Sequence, residues 1–219
     1  MEAGYQFESK YVALGANLYY MFYKDQLVLT GAQNPDTYEA LYVNVPDSYR
    51  RGIELQVKVM PLEWMWLSGQ VTLSQNRILN FTEILANEDT WVPDTLYRGT
   101  TTIAYSPSVL AMGEIGFTTH GFEGVWRTRF VGSQYATNAQ VEALILPSYC
   151  VTDLSLSYTW KTKGGQQIRL GVNIDNLLNS QYVSNAFSGS YVKHGVRNDY
   201  LSLFPQAPIH AMGQFSIKF

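Results

Sequence analysis

A period-two alternation of apolar and polar residues runs through nearly the whole chain, and it constrains the fold more than any other feature. From Arg51 to Val59, Ile53, Leu55, Val57 and Val59 share one face, while Gly52, Glu54, Gln56 and Lys58 share the other. The stretch 12–23 behaves alike: Val12, Leu14, Ala16, Leu18, Tyr20 and Phe22 alternate with smaller or more polar neighbours. Further on, Leu154, Leu156, Tyr158 and Trp160 oppose Asp153, Ser155, Ser157 and Thr159. Ile168, Leu170, Val172 and Ile174 likewise oppose Arg169, Gly171, Asn173 and Asp175. No helical stripe competes with this pattern, so the chain reads as all-β.

Full charges fall on the polar faces and almost none on the apolar ones. Both a half-buried soluble sheet and a lipid-facing barrel produce that division. Strand length separates them, because several alternating runs reach the roughly 9–11 residues needed to cross a bilayer at a tilt. The connections point the same way. Short ones fall at Ser9-Lys10, Pro61-Leu62-Glu63, His120-Gly121 and residues 161–165. Long ones fall at residues 31–39, 80–98, 136–147 and 179–208. Short turns at one end and long loops at the other is the outer-membrane arrangement, and a soluble meander has no reason to follow it.

Composition enters as a set of exclusions. No run of about 18 apolar residues occurs, which removes a transmembrane helix. The 16 Tyr, 10 Phe and 5 Trp suit strands and membrane interfaces. A net charge of -3 gives no basic footprint for nucleic acid. Cys150 stands alone, so it forms no intrachain disulfide and reads as a small apolar residue on a strand. His120, His194 and His210 match no metal-ligand pattern, and no nucleophile elbow or phosphate-binding glycine loop appears. The chain is therefore expected to be no enzyme, with no cofactor, no catalytic residue and no metal site. The acidic stretch holding Glu83, Glu88, Asp89 and Asp94 matches no ordered calcium motif and reads as a solvated loop rather than a divalent-cation site.

Residues 1–7 carry neither a basic region nor an apolar signal core and read as mid-strand. Roughly nine strands are expected, the first and last pointing the same way. Single-chain bacterial barrels have even counts, so the expectation is a partial antiparallel transmembrane barrel with earlier strands missing. One further signal closes the chain. Ala211, Gly213, Phe215, Ile217 and Phe219 alternate with His210, Met212, Gln214, Ser216 and Lys218. An amphipathic last strand ending in Phe suits capture by strand addition. Phe215, Ile217 and Phe219 resemble the signal read by the outer-membrane barrel assembly machinery.

At this point the sequence resembles a TonB-dependent outer-membrane receptor, of the kind common in Bacteroidetes. The resemblance rests on Tyr49-Arg50-Arg51-Gly52-Ile53-Glu54-Leu55, on residues 101–107 (TTIAYSP), on Arg129-Phe130-Val131-Gly132-Ser133-Gln134-Tyr135, and on residues 170–182 (LGVNIDNLLNSQY) leading to Phe204-Pro205-Gln206-Ala207. It covers essentially the whole chain, in family order. It implies a 22-stranded barrel with a plugged lumen, of which residues 1–219 supply roughly the last nine strands, without plug domain or early strands. It implies a multi-pass protein of the bacterial outer membrane. Its function is TonB-energised uptake of a scarce nutrient, foremost a ferric siderophore, with cobalamin and haem as others. The expected partners are membrane lipid, the plug, the N-terminal barrel strands, TonB through the plug, the assembly machinery and a small metal chelate.

Barrel logic then assigns roles by face. Glu54, Lys58, Arg127, Arg129, Asp153, Arg169 and Asp175 are expected to face the lumen and plug. Ligand contact is expected from the loop 179–208, through Tyr182, Tyr191, His194, Arg197 and Tyr200, since aromatic and cationic groups together suit an anionic or aromatic ligand. Plain packing and solubilisation of a long loop is the competing reading there. Two other readings stand beside the receptor: a passive porin-like small outer-membrane barrel, and a soluble all-β binding module. Trp64 and Trp66 pose a puzzle, because they sit at a short-turn girdle yet strict alternation turns them to the polar face without a bulge.

Overall fold

A computed structural model describes residues 1–33 and 39–219. Nine antiparallel strands form one continuous wall: β1 (Glu2–Glu8), β2 (Val12–Gln33), β3 (Ala40–Leu62), β4 (Met65–Asn87), β6 (Val109–Thr119), β7 (Phe122–Val131), β10 (Tyr149–Lys161), β11 (Gln167–Asp175) and β14 (His210–Lys218). The remaining strands stand off this path. They are β5 (Asp94–Thr102), β8 (Gln134–Tyr135), β9 (Ile145–Leu146), β12 (Val183–Lys193) and β13 (Val196–Pro205). Four tight connections, β1–β2, β3–β4, β6–β7 and β10–β11, lie at one end, where the sequence places them. Everything off the path gathers at the other end.

The alternation becomes two faces through the cross-strand register. One row across the wall reads Tyr5, Ala16, Leu55, Val71, Ala111, Phe130, Cys150. A parallel row nearer the tight turns reads Val59, Leu67, Ile115, Trp126, Leu154, Ile174, Ala211. On the opposite face runs Glu8, Ala13, Lys58, Ser68, Glu114, Arg127, Asp153. The apolar face is solvent-open in the isolated chain: Leu55, Leu73, Ile115, Trp126, Phe130, Leu170 and Phe215 are all exposed. A patch of this extent has no place on a water-soluble monomer.

One set of polar groups on the apolar face, on β7 and β10, satisfies itself. The Trp126 Nε1–H donates to Thr128 Oγ1 at 3.1 Å, and that hydroxyl pairs with Thr152 Oγ1 at 3.1 Å. An apolar surround makes such pairing obligatory.

Strands β2, β3 and β4 run for 22, 23 and 23 residues, about twice a bilayer crossing. Their alternation changes phase partway. On β4 the buried positions are Asn76 and Ile78, then Phe81, Glu83 and Leu85. The slip falls at Asn80, whose φ of 54° is left-handed, and the β4–β5 register shifts between Ile78 and Phe81. On β2 the left-handed Asp25 (φ 53°) precedes buried Val28 and Thr30. Beyond these points the strands build a conventional core of Val28, Val45, Ile78, Phe81, Ile103 and Ala139. A second core joins Ala136, Leu144, Leu146, Val183 and Ala186. Among the described residues, the buried apolar side chains all lie toward this end. The molecule thus consists of an open two-faced wall and a folded cap.

The cap corrects three loop expectations. Within residues 80–98, β4 continues to Asn87 and β5 begins at Asp94, so only a short turn is irregular. Residues 136–147 contain a 3-10 turn (Glu142–Leu144) and β9. Residues 179–208 hold the β12–β13 hairpin rather than a structureless loop. Of residues 31–39, positions 34–38 lie outside the described residues.

The tryptophan puzzle resolves locally. The β3–β4 pairing shifts register between Val59 and Leu62, and Trp64 occupies the turn. Trp66 stays on the polar face, with the Lys58 Nζ 5.3 Å from its ring centroid and its indole laid across Gly116. Glycine is required there, because a Cβ on residue 116 collides with the ring. We therefore expect Gly116→Ala to lower stability by about 1–3 kcal/mol through overpacking. Thermal unfolding of the single variant and of Gly116→Ala/Trp66→Ala checks this. A double variant no more stable than the single would show that the indole is not the obstacle.

Candidate functional site

The polar face carries a ladder of ion pairs that follows from the register. Arg127 Nε donates to Glu114 Oε1 at 2.6 Å directly across the β6–β7 pair, and Ser68 Oγ adds a bond to the other carboxylate oxygen at 3.1 Å. Arg129 reaches Asp153 at 3.0 Å, whose second oxygen accepts the Asn176 N–H at 3.1 Å. Arg169 meets Glu123 at 2.6 Å and Ser157 at 2.8 Å. His210 Nε2 lies 3.3 Å from Asp175. Glu54 accepts only a long contact from Asn17 Nδ2, 3.4 Å, and Lys58 meets the Trp66 ring. All seven residues assigned to the lumen therefore share one face of one sheet. On β14, Phe215 and Ile217 stand on the apolar face opposite Leu170 and Ile168, and Phe219 follows the strand, exposed.

The cap centres on the β12–β13 hairpin. Its turn is His194-Gly195, with φ of 54° and 69°. Two successive left-handed residues make a type I′ turn, which matches strand twist and favours glycine in second place. The same dipeptide, His120-Gly121, closes β6–β7 with φ of 50° and 84°.

Asp89 fastens this turn from outside. Its carboxylate oxygens accept the His194 and Gly195 N–H groups, each at 2.8 Å. Those backbone bonds, Gly195 foremost, lower the Asp89 pKa below its ordinary value. Beside it, Lys193 and Glu88 form an exposed ion pair of 2.8 Å. Tyr191 and Val192 pair in parallel with Ala86 and Asn87 of β4.

One face of the hairpin is anchored by Glu83, whose side chain is 3% exposed. Arg98 donates to Glu83 Oε2 through Nε (2.9 Å) and Nη2 (2.7 Å). Arg197 takes both oxygens from the hairpin side, each at 2.9 Å. The Arg197 Nε donates to Asp199 at 2.8 Å and Nη2 to Ser190 Oγ at 2.7 Å, while Ser190 donates to Asp199 at 2.6 Å. Two arginines and two carboxylates make the cluster neutral, and the Glu83 hydrogen bond is the main cause raising the Arg197 pKa. Arg197 thus has four of its five N–H donors engaged inside the protein.

The opposite face displays aromatics. Phe187 and Tyr200 rings lie 5.6 Å apart, and Tyr191 and Tyr200 lie 6.4 Å apart. Tyr200 lies over Gly189, and burial, then Tyr191, raises its pKa. Tyr182 precedes β12 and packs on Tyr149 at 4.7 Å. Of the five residues assigned to ligand contact, Tyr191 and Tyr200 thus form one shelf, His194 makes the adjoining turn, Arg197 lies on the anchored face and Tyr182 sits at the hairpin base. Sequence reading singled out neither the Glu83–Arg98–Arg197 cluster nor Phe187 as part of a shelf. Glu83 sits in a buried anchor rather than on a solvated loop. Among the described residues no group of three or more His, Cys, Asp or Glu is arranged to hold a metal ion.

A family model described as "TonB dependent receptor-like, beta-barrel" matches residues 1–177. No curated protein matches the sequence. Among solved structures, the ferric-catecholate import receptor Fiu from K12 E. coli is similar at 18% identity and a TM-score of 0.63, over 99% of this chain and 26% of that one. BauA, the ferric preacinetobactin receptor from Acinetobacter baumannii, gives 18% and 0.64 over 99% and 28%. The ferric yersiniabactin uptake receptor FyuA from Yersinia pestis gives 17% and 0.64 over 100% and 29%. The chain therefore spans under a third of the length of these receptors.

Two expectations follow from the cap. Removing the Glu83 carboxylate with Glu83→Ala leaves two arginines facing each other, at a cost of about 3–5 kcal/mol, whereas Lys193→Ala removes only an exposed ion pair and should leave stability close to the parent's. Limited proteolysis should release residues 183–205 in the first variant alone, and equal sensitivity in both would sink the anchor. Asp89 acts by pH. Because its folded pKa is depressed, its bonds to the turn are fully present above the ordinary aspartate pKa of about 3.9 and are lost as pH falls through the lowered folded value. The protection factors of the His194 and Gly195 amides, exchange rates taken relative to the intrinsic rate at each pH, should stay flat from pH 8 to 5 and fall only in acid. In Asp89→Asn the acid step should vanish.

Proposed function

This chain belongs to the TonB-dependent receptors, within the β-barrel part of that family, and from that premise we propose that it builds part of the wall and outward cap of an outer-membrane receptor for a scarce metal chelate. The family consists of transporters rather than enzymes. In this reading residues 1–219 form roughly the last nine strands of a 22-stranded barrel, and a plug domain and earlier strands complete it. The apolar face meets lipid, the polar face meets the lumen, and the cap lies outside the cell.

The observation that carries the reading is the division of the molecule into wall and cap. A wall with an exposed apolar face and a charged face suits a bilayer on one side and a wet interior on the other. Glu54, Lys58, Arg127, Arg129, Asp153, Arg169 and Asp175 would then meet the plug or line the lumen. Glu54 and Lys58 are the least engaged by their neighbours and so have the most to offer a plug. Phe215, Ile217 and Phe219 would serve the barrel assembly machinery, and TonB would act through the plug.

For the substrate, the hairpin shelf supports a ferric siderophore of aromatic character, with cobalamin and haem as further possibilities. Tyr191 and Tyr200, joined by Phe187, offer stacking surface. Tyr182 and His194 flank them, and Arg197 holds the hairpin in place. The receptor completed by its plug and earlier strands, folded in the outer membrane of its expressing cell, should bind a ferric tris-catecholate with saturable quenching of tryptophan fluorescence. Tyr191→Ala/Tyr200→Ala should weaken that binding about 3–30-fold, the span of lost aromatic contacts of roughly 0.5–2 kcal/mol. Unchanged affinity in the double variant would remove the shelf from the site, and failure of the protein to enter the membrane would remove the receptor reading itself.

A further inference from the structure

The apolar face is not uniform. Between Leu14 and Val57 on one side and Thr128 and Phe130 on the other, the row of side chains drops out at Gly69 and Gly113. The next row repeats the thinning with Ala16 and Ala111. The result is an open groove of about 780 Å³, walled by Tyr5, Leu14, Leu55, Val57 and Phe130. A second hollow continues it along the strands, past Leu18, Ile53 and Leu73, and ends at Tyr20, Arg51 and Gln75.

Arg51 is exposed at that end. Its Nε donates to Gln75 Oε1 at 2.8 Å and its guanidinium carbon lies 5.4 Å from the Tyr49 ring, but no carboxylate among the described residues pairs with it. An arginine on an otherwise apolar face, at the end of a groove, is a cation in want of an anion. From Arg51 to Val57 is six residues of strand, about 20 Å, the reach of a myristoyl-length chain.

We propose that this groove is a binding site for one anionic lipid, its acyl chain lying over Gly69 and Gly113 and its phosphate seated on the Arg51 guanidinium. The proposal rests on the reading of the apolar face as lipid-facing. Charge selects this occupant over a neighbouring protein's apolar segment, which would leave the guanidinium unpaired. Substitution is geometrically permitted, because a Cβ on Gly69 or Gly113 meets nothing closer than 3.6 Å.

The test is native mass spectrometry of the completed receptor that carries this chain, extracted in mild detergent from the membrane where it folded. It is equilibrated with equal parts of dimyristoyl phosphatidylglycerol and dimyristoyl phosphatidylcholine. One lipid should be retained, with about tenfold selectivity for the phosphatidylglycerol, the effect of one charge-assisted contact. Arg51→Gln should bring selectivity to within about twofold, and Gly113→Leu should reduce retention of both lipids about tenfold. Resistance to alkaline carbonate extraction verifies that each variant is embedded. Embedded variants that all retain lipid like the parent overturn the groove and spare the membrane reading. A co-purifying protein in place of lipid overturns it too. A chain that carbonate strips from the membrane overturns both.

Discussion

Hydrocarbon offers no hydrogen bonds, and in the proposed membrane reading that constraint shapes every part of this chain that would face it. A strand placed there must give each backbone N–H and C=O to a neighbouring strand, which is why the wall is one unbroken antiparallel path from β1 to β14. The same constraint sorts side chains. Apolar residues occupy one face row after row, and one set of exceptions closes on itself in the Trp126–Thr128–Thr152 relay. With the exception of Arg51, the charges of the wall's central strands lie on the other face, where each arginine of β7 and β11 has a carboxylate partner within 3.0 Å. A soluble sheet would instead cover its apolar face with a second layer. Among the described residues no such layer lies over the wall.

The constraint ends where the backbone changes phase. Left-handed Asn80 and Asp25 turn the alternation over, so that residues which would have pointed outward now point inward. Inward beyond those points means toward other protein, and Phe81, Val28 and Val45 join Ile78, which stands just before the slip, in a core. A single strand thus serves two solvents in succession. The strands need not end at the membrane surface, because the phase slip allows the same ladder to continue into a water-exposed domain.

The wall was largely legible in the sequence, since period two is a direct image of a two-faced sheet. The tight turns were legible because Ser9-Lys10, His120-Gly121 and residues 161–165 interrupt that period. The cap was not, for two physical reasons. Phase slips at Asn80 and Asp25 break the pattern just where a second core begins. A buried charge such as Glu83 then disguises a strand as a loop, because its burial depends on an arginine distant in sequence. One signal was available and passed over. The runs on either side of His194-Gly195 are joined by the same dipeptide that closes β6–β7, and a hairpin follows from it.

The ion cluster beneath that hairpin bears on how the cap works. Ordering a segment of more than twenty residues costs conformational entropy, and a ligand that had to order it would bind more weakly by that amount. Here the ordering is already done. Glu83 holds one face of the hairpin through two arginines, Asp89 holds its turn, and the β4 edge holds its flank. A neutral, fully partnered cluster leaves no unpaired charge beneath the shelf. The aromatic face is therefore presented on a rigid support, and in the proposed reading the binding energy of Tyr191 and Tyr200 would go to the ligand instead of to folding the loop. Arg197 illustrates the division of labour. A lone arginine among aromatics in a sequence invites assignment to an anionic ligand, yet here its donors are engaged within the anchor. What it supplies is the fixed position of the tyrosines on the other side of the strand.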